Sequence, residues 1–153
     1  MSFISQMKTE LGGRIREISV QRDRRVSGRT VKKDLRATVR KLVELEGYSH
    51  LSTITAVDAG SEIVVIYHIV NKEALLSLRV RVSEEDPILP TIVDLIPGAA
   101  LYEREVHDLF GINFEGNSDL SPILLPDGWP EGVYPLRKEW TPKRISRRMK
   151  RRR

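Results

Sequence analysis

Residues 51–83 leave this chain the least freedom. In "ALLSLRVRV", Leu76, Leu78, Val80 and Val82 alternate with Ser and Arg. A period of two suits a strand with one dry and one wet face, and suits no helix. Before it, "HLSTITAV" and "IVVIYHIV" are rich in β-branched residues and are joined by "DAGSE", whose Asp, Gly and Ser favour a turn. A short "NK" then leads into the third run. Strands this close together predict an antiparallel meander of at least three strands with one solvated face. Helices elsewhere must cover its dry face.

Phe3, Ile4, Met7 and Leu11 recur at helical spacing, and Gly12-Gly13 ends the pattern. "RIREISV" reads as a short strand with Ile18 and Val20 on one face, and "QRDRRVSGR" as an exposed loop. From Thr30 the stripe Val31, Leu35, Val39, Leu42 and Val43 predicts a second helix, with Gly47 as its stop. Beyond the meander, Pro87 and Pro90 break the alternation and "TIVDLI" reads as a short helix. "AALYEREVHDLF" predicts three helical turns with Tyr102, Val106, Leu109 and Phe110 on one face and Gly111 at the end. The stretch that follows holds five prolines and, with Gly111, four glycines. It is expected to be extended, and Phe114, Leu124, Leu125, Trp129, Tyr134 and Trp140 need cover from somewhere.

The chain is the length of one ordinary domain, at 153 residues. It has no cysteine, which excludes disulfides, thiolate nucleophiles and cysteine-held clusters or zinc. Its three histidines, His50, His68 and His107, are scattered. No apolar run approaches the roughly 18–20 residues of a membrane span, and the N-terminus carries no visible export signal. The expectation is a soluble chain, held at a membrane only through something else. The net charge of +5 belongs to the end: residues 143–153, "KRISRRMKRRR", carry eight Lys or Arg and no acid. The other 142 residues hold 18 basic against 21 acidic side chains. A domain at 1–142, with its arm from about 111, is therefore read separately from a basic tail at 143–153.

"YEREVHD" concentrates the chemistry. On a helix, Arg104 and Asp108 are i, i+4 partners, as are Glu103 and His107. Three readings stay open on the residues alone. The first is a solvated face with weak ion pairs. The second is a metal site on Glu103 and His107, which lacks a second paired motif to complete it. The third is a partner surface, where desolvated charges set the register. Glu103 and Glu105 lie about 200° apart on a helix, so they do not flank one bond. G-x-S-x-G and the glycine-rich phosphate cradles are absent from the sequence.

"EREVHDLFGINFEG" followed by "ILLPDGWPEGVYPLRKEW" resembles the signature of the 30 kDa-subunit family of respiratory complex I, shared with membrane-bound NiFe hydrogenases. Glu103, Arg104, Glu105, Asp108, Leu109 and Phe110 fit its first landmark, Gly111 and Ile112 extend it, and Pro135-Leu136-Arg137-Lys138 fit the second. The likeness covers most of residues 30–140. Asn117 and Ser121 depart from it, where many members carry His or Lys and a basic residue or proline. "GWPEGVYPLRK" is more similar to the hydrogenase-type branch of archaeal ferredoxin-linked complexes.

The resemblance implies an α+β fold: a small mixed or mainly antiparallel sheet covered by helices, with an extended arm that wraps a neighbour. It implies an accessory, non-catalytic subunit of the hydrophilic arm, peripheral on the cytoplasmic face of the membrane. No cofactor is expected in this chain; iron–sulfur clusters, and in the hydrogenase branch NiFe, belong to partner subunits. The implied partners are a homologue of the hydrogenase large subunit and neighbouring iron–sulfur subunits. The interface set is Glu103, Arg104, Glu105, Asp108, Phe110, Gly111, Ile112, Phe114, Trp129, Tyr134, Pro135, Leu136, Arg137 and Lys138. A quinone-reducing dehydrogenase is the alternative within this class; a free-standing nucleic-acid-binding module and a metal-dependent enzyme are the alternatives outside it. The tail reads as a disordered end, or as a segment for anionic lipid or an acidic face of a neighbouring subunit. Nucleic acid is the outside reading, since the tail has no aromatic residue to stack on bases.

Overall fold

The computed structural model describes residues 2–45 and 50–151. Helix α1 (Phe3–Leu11) starts where the Ser2 hydroxyl accepts the Ser5 N–H at 3.3 Å, and it buries Phe3, Met7 and Leu11. Strands β1 (Arg16–Arg22) and β2 (Arg25–Arg29) form an antiparallel hairpin. A short 3-10 turn at Lys32–Asp34 precedes helix α2 (Leu35–Glu44). The helix therefore begins later than its apolar stripe: Val31 is extended and 37% exposed, while Leu35, Val39 and Leu42 are buried. Gly47, the expected stop, lies outside the described residues.

The meander is present as β3 (His50–Asp58), β4 (Glu62–Val70) and β5 (Leu75–Ser83), all antiparallel. Ile63, Val65, Tyr67 and Ile69 sit across from Val82, Val80, Leu78 and Leu76, and all eight are buried. The α1 and α2 residues close over them in one core with Val106 and Phe110. Burying each such side chain contributes roughly 1.5–3 kcal/mol.

One strand of the main sheet escaped the sequence reading. "QRDRRVSGR" is not an exposed loop, because β2 pairs in parallel with β5 and completes a mixed sheet in the order β1-β2-β5-β4-β3. Its single large apolar residue is Val26, and the buried Ser27 and Gly28 gave no hydrophobic signal. Small size is what the position requires: a Cβ on Gly28 would come within 2.6 Å of Ile15 Cγ2.

Strand β6 (Ile88–Pro90) leads into a hydrogen-bonded turn, not the short helix expected of "TIVDLI". The Leu95 and Ile96 N–H groups both reach the Ile92 carbonyl, and the Thr91 hydroxyl accepts the Val93 N–H at 3.2 Å. That side-chain bond competes with helical pairing, and Pro97 prevents continuation. Helix α3 (Ala99–Phe110) follows, then β7 (Asn113–Glu115), which pairs in parallel with β6. Residues 116–141 contain neither helix nor strand, and helix α4 (Pro142–Lys150) closes the described chain. Among the described residues the architecture is α+β, a five-stranded mixed sheet and a two-stranded one with four α-helices.

Candidate functional site

Helix α3 buries Ala99, Val106 and Phe110 and ends at Gly111, whose φ of +73° lets its N–H reach the His107 carbonyl at 2.9 Å. The ion pairs expected along this helix do not form among the described residues. Glu103, Arg104, His107 and Asp108 instead reach off the helix to backbone, hydroxyl or amide partners. Glu103 is fully buried. Its carboxylate accepts the Thr91 hydroxyl at 2.7 and 3.0 Å, the Ile92 N–H at 2.9 Å and the Asn117 amide at 2.8 Å. The Arg104 guanidinium donates to the Ser121 and Pro122 carbonyls, each at 3.0 Å. One oxygen of Asp108 accepts three successive N–H groups, from Ile123, Leu124 and Leu125, at 2.9–3.1 Å. His107 Nδ1 donates to the Ile112 carbonyl at 2.8 Å. Fixed peptide dipoles satisfy buried charge without the entropy of ordering a second long side chain.

These contacts fasten the arm to its own helix. Further along, the Leu136 N–H donates to the Leu109 carbonyl at 3.1 Å, and Arg137 Nε to the Phe110 carbonyl at 2.6 Å. The Arg137 guanidinium also lies 4.9 Å from the centre of the Tyr134 ring. That ring packs against Gly111, where an added Cβ would meet it at 2.5 Å. Gly111 is thus required twice, for its positive φ and for Tyr134. The arm ends at Asp58, whose carboxylate takes the Lys138 N–H at 2.8 Å and the Gly60 N–H at 2.9 Å. Within the arm, the Trp129 indole donates to the Val133 carbonyl at 2.8 Å.

Electrostatics divide the carboxylates. Burial pushes the Glu103 carboxyl above its ordinary value, against the pull of its donors at Ile92, Thr91 and Asn117. Burial also penalises the Asp108 carboxylate, but three amide donors and nearby His107 together bring its pKa below the ordinary value. The Lys138 and Gly60 amides hold Asp58 low. No nucleophile–base pair emerges here. Glu103 and His107 turn to different partners, and both oxygens of Glu103 are engaged by protein donors.

The expected interface set separates into two groups. Phe110, Gly111, Ile112 and Phe114 are buried within this chain, so "FGINFEG" is not held out as a free segment; β7 pairs with β6 instead. Trp129, Tyr134, Pro135 and Arg137 are half-buried, and Leu136 and Lys138 are exposed. Glu105, half-buried, borders a groove of about 280 Å³ with Thr53, Thr55, Leu109 and Leu136. Around α3, Leu101, Leu124 and Leu136 are 55, 54 and 53% exposed. Sequence reasoning missed Asp58, Thr91 and Asn117 as anchors. Asp58 carried a local signal, the Asp-x-Gly of a turn, but nothing local announces its bond to a residue eighty positions later. Of the two departures from the family pattern, Asn117 still reaches Glu103, through a neutral amide. Ser121 lends Arg104 only its carbonyl, which any residue supplies.

The basic tail is helical over its described part, which corrects the reading of a disordered end. The Thr141 hydroxyl accepts the Arg144 N–H at 3.3 Å, and Pro142 stands in the first turn, where its missing N–H costs nothing. The Arg144 guanidinium lies 4.9 Å from the centre of the Trp140 ring, and Ile145 and Met149 share the opposite side with Pro142.

Against known proteins, the profile of the family described as respiratory-chain NADH dehydrogenase, 30 Kd subunit, matches residues 29–145. The C/D subunit of NADH-quinone oxidoreductase from Acinetobacter baumannii (strain AYE) is 46% identical over 84 residues, 54% of this chain and 14% of that protein. The protein of the same name from Methylococcus capsulatus is 39% identical over 104 residues, 60% of this chain and 17% of that one. The chain therefore matches under a fifth of the length of these relatives. Among solved structures, a chain of the membrane-bound sulfane sulfur reductase, an archaeal respiratory membrane complex, superposes with a TM-score of 0.81 at 30% identity. That match covers 90% of this chain and 83% of the other. A trypsin-resistant fragment of Nqo5 gives 0.64 at 28% identity, over 76% of this chain and 98% of the fragment.

Proposed function

This chain belongs to the respiratory-chain NADH dehydrogenase 30 Kd subunit family, and from that premise we propose that it is a non-catalytic subunit of a membrane-attached electron-transfer complex. It docks through α3 and the arm onto a homologue of the hydrogenase large subunit. The observation that carries the docking surface is the fate of the α3 charges. Arg104 and Asp108 are spent holding the arm, Glu103 holds Asn117 of the arm together with Thr91 and Ile92, and Leu101, Leu124 and Leu136 are left more than half exposed around the same helix. Three large apolar side chains at the rim of a rigidly tied loop suit a partner's surface better than water. Trp129, Tyr134, Arg137 and Lys138 extend that surface along the arm. Adjacency to a large-subunit homologue is supported by the C/D proteins, where the stretch resembling this chain is continuous with a much longer polypeptide.

Within this class we favour the hydrogenase-type, ferredoxin-linked branch. The likeness to the sulfane sulfur reductase chain supports it, being longer and closer in shape than that to the Nqo5 fragment. The 46% identity to the C/D protein of NADH-quinone oxidoreductase favours the second reading, a subunit of a quinone-reducing dehydrogenase. In both, electrons pass through iron–sulfur clusters of other subunits, with NiFe only in the first. The chain sits peripherally on the cytoplasmic face; no described helix is long and apolar enough to cross a membrane.

The test is purification of the tagged chain with its native assembly, followed by identification of companions and of nickel and iron. Co-purification with a large-subunit homologue and iron–sulfur subunits is expected. Leu124→Glu with Leu136→Glu should abolish it while the isolated chain keeps its circular dichroism. A tagged wild-type chain recovered alone from cells that make the whole assembly overturns the proposal.

A further inference from the structure

Helices α1, α2 and α3 pack on the face of the five-stranded sheet that carries Ile63, Val65, Tyr67 and Ile69, and on the other, open face the side chains are half-buried or exposed, Ser27 excepted. Across the open face the pairing register lines up three adjacent rows. Val57, Val64 and Arg81 form one; Thr55, Ile66, Arg79, Arg29 and Arg16 form the next; Thr53, His68, Ser77, Ser27 and Ser19 form the third. Arg25 and Arg22 pair beyond them, next to Leu75. The face is thus half apolar, on β3 and β4, and half arginine, on β5, β2 and β1.

Three observations show that this surface is unfinished in the isolated chain. Val57 is 52% exposed and its neighbours Val64 and Ile66 are only half-buried, so an apolar strip meets solvent. Of six arginines, Arg29 pairs with Glu17 at 2.9 Å and Arg81 with Glu62 at 3.3 Å, and both pairs are largely solvated. Arg16, Arg22, Arg25 and Arg79 have no acidic or hydrogen-bonding side-chain partner among the described residues. Finally, Arg79, Arg29 and Arg16 stand directly across from one another on three adjacent strands. Like charges in that position repel, and a bound carboxylate relieves the repulsion. The second and third rows are already tied together, since His68 bridges the Thr55 and Ser77 hydroxyls at 3.0 and 3.2 Å. This tie gives the face a rigid floor between its two halves.

We propose that this face docks an amphipathic acidic segment of a neighbouring protein subunit. Apolar side chains of the segment cover Val57, Val64 and Ile66, and its carboxylates pair with Arg79, Arg25 and Arg16. Charge complementarity selects the occupant: arginine forks pair carboxylates bidentately, and an apolar strip beside arginines has the composition of an interface core. Nucleic acid fits less well, because no Phe, Tyr or Trp stands among the described residues of these rows to stack with a base, and the His68 ring is held between Thr55 and Ser77. The inference rests on the chain being part of an assembly, as proposed above, and adds the sheet face, whose β3 edge adjoins α3, as a second surface.

The full chain, tagged and in its native assembly, is made with the photo-crosslinker p-benzoylphenylalanine at position 64 in one version and at position 101 in another. Irradiation at position 64 should yield a single cross-linked partner peptide, rich in Glu or Asp and in apolar residues. Arg79→Glu with Arg25→Glu should lower that yield at least about fivefold and leave the cross-link at 101 unchanged. Cross-linking at 101 with silence at 64 overturns this inference alone, and silence at both overturns the docking reading as well. A cross-link from 64 to lipid or RNA, or to a peptide without acidic residues, also sinks it.

Discussion

Asp108 and Glu103 show how one helix uses two carboxylates in opposite ways. Asp108 directs one oxygen at three peptide N–H groups and has a lowered pKa. Its bonds therefore contribute fully above about pH 4, the ordinary carboxylate value, and fade as pH falls through the lower folded-state value. Glu103, buried and with a raised pKa, works the other way, its contribution declining as pH rises from the ordinary value through the raised one. Because one oxygen does all the accepting at Asp108, Asp108→Asn should keep the geometry and lose only charge assistance, about 1 kcal/mol. Asp108→Ala leaves the loop donors without it and should cost about 3 kcal/mol. Urea denaturation at pH 7 measures both. Equal losses for the two variants would show that the charge both remove, and not the accepting oxygen that Asn keeps, holds the loop.

At the scale of elements, β2 is a strand by position and not by composition. It lies between β1 and β5, and its Gly28 admits Ile15 to the core at a distance no side chain tolerates. Gly28→Val raises intrinsic strand propensity, yet it should destabilise the chain by about 1–3 kcal/mol through overpacking. Adding Ile15→Ala should recover part of that loss in the same denaturation measurement. A stabilised Gly28→Val variant would mean that Ile15 has room to move. The arm presents the converse case. It has no regular structure between 116 and 141, but it is fastened to α3 through Asn117, residues 121–125, Leu136 and Arg137, and to Asp58 through Lys138. Order there comes from side chains of other elements.

For the molecule as a whole, charge and stability are separate. Helix α4 buries no residue, so deleting residues 143–153 should change unfolding free energy by no more than about 0.5 kcal/mol. The same deletion should lower retention on the assembled complex or its membrane, most strongly at low salt, where exposed charges are least screened. Salt-dependent sedimentation of membranes from cells carrying the truncated chain reads this out. Equal retention at every ionic strength would leave α4 without a role in attachment. With α4 removed, the sheet face keeps its six arginines, which makes the truncated chain the cleaner background for testing it.

The meander, α1, α3 and the division of charge between body and tail were legible in the sequence, because periodicity and composition report which side of an element meets water. The family was legible as well, from Glu103-Arg104-Glu105 and Pro135-Leu136-Arg137-Lys138 at their spacing. Which partner each charge takes was not. Helical spacing offered Arg104 to Asp108, but the folded arm brought peptide donors and acceptors within reach of both. Tertiary structure alone decided that, since a buried charge takes the most preorganised partner and only the completed fold shows which peptide groups are in place.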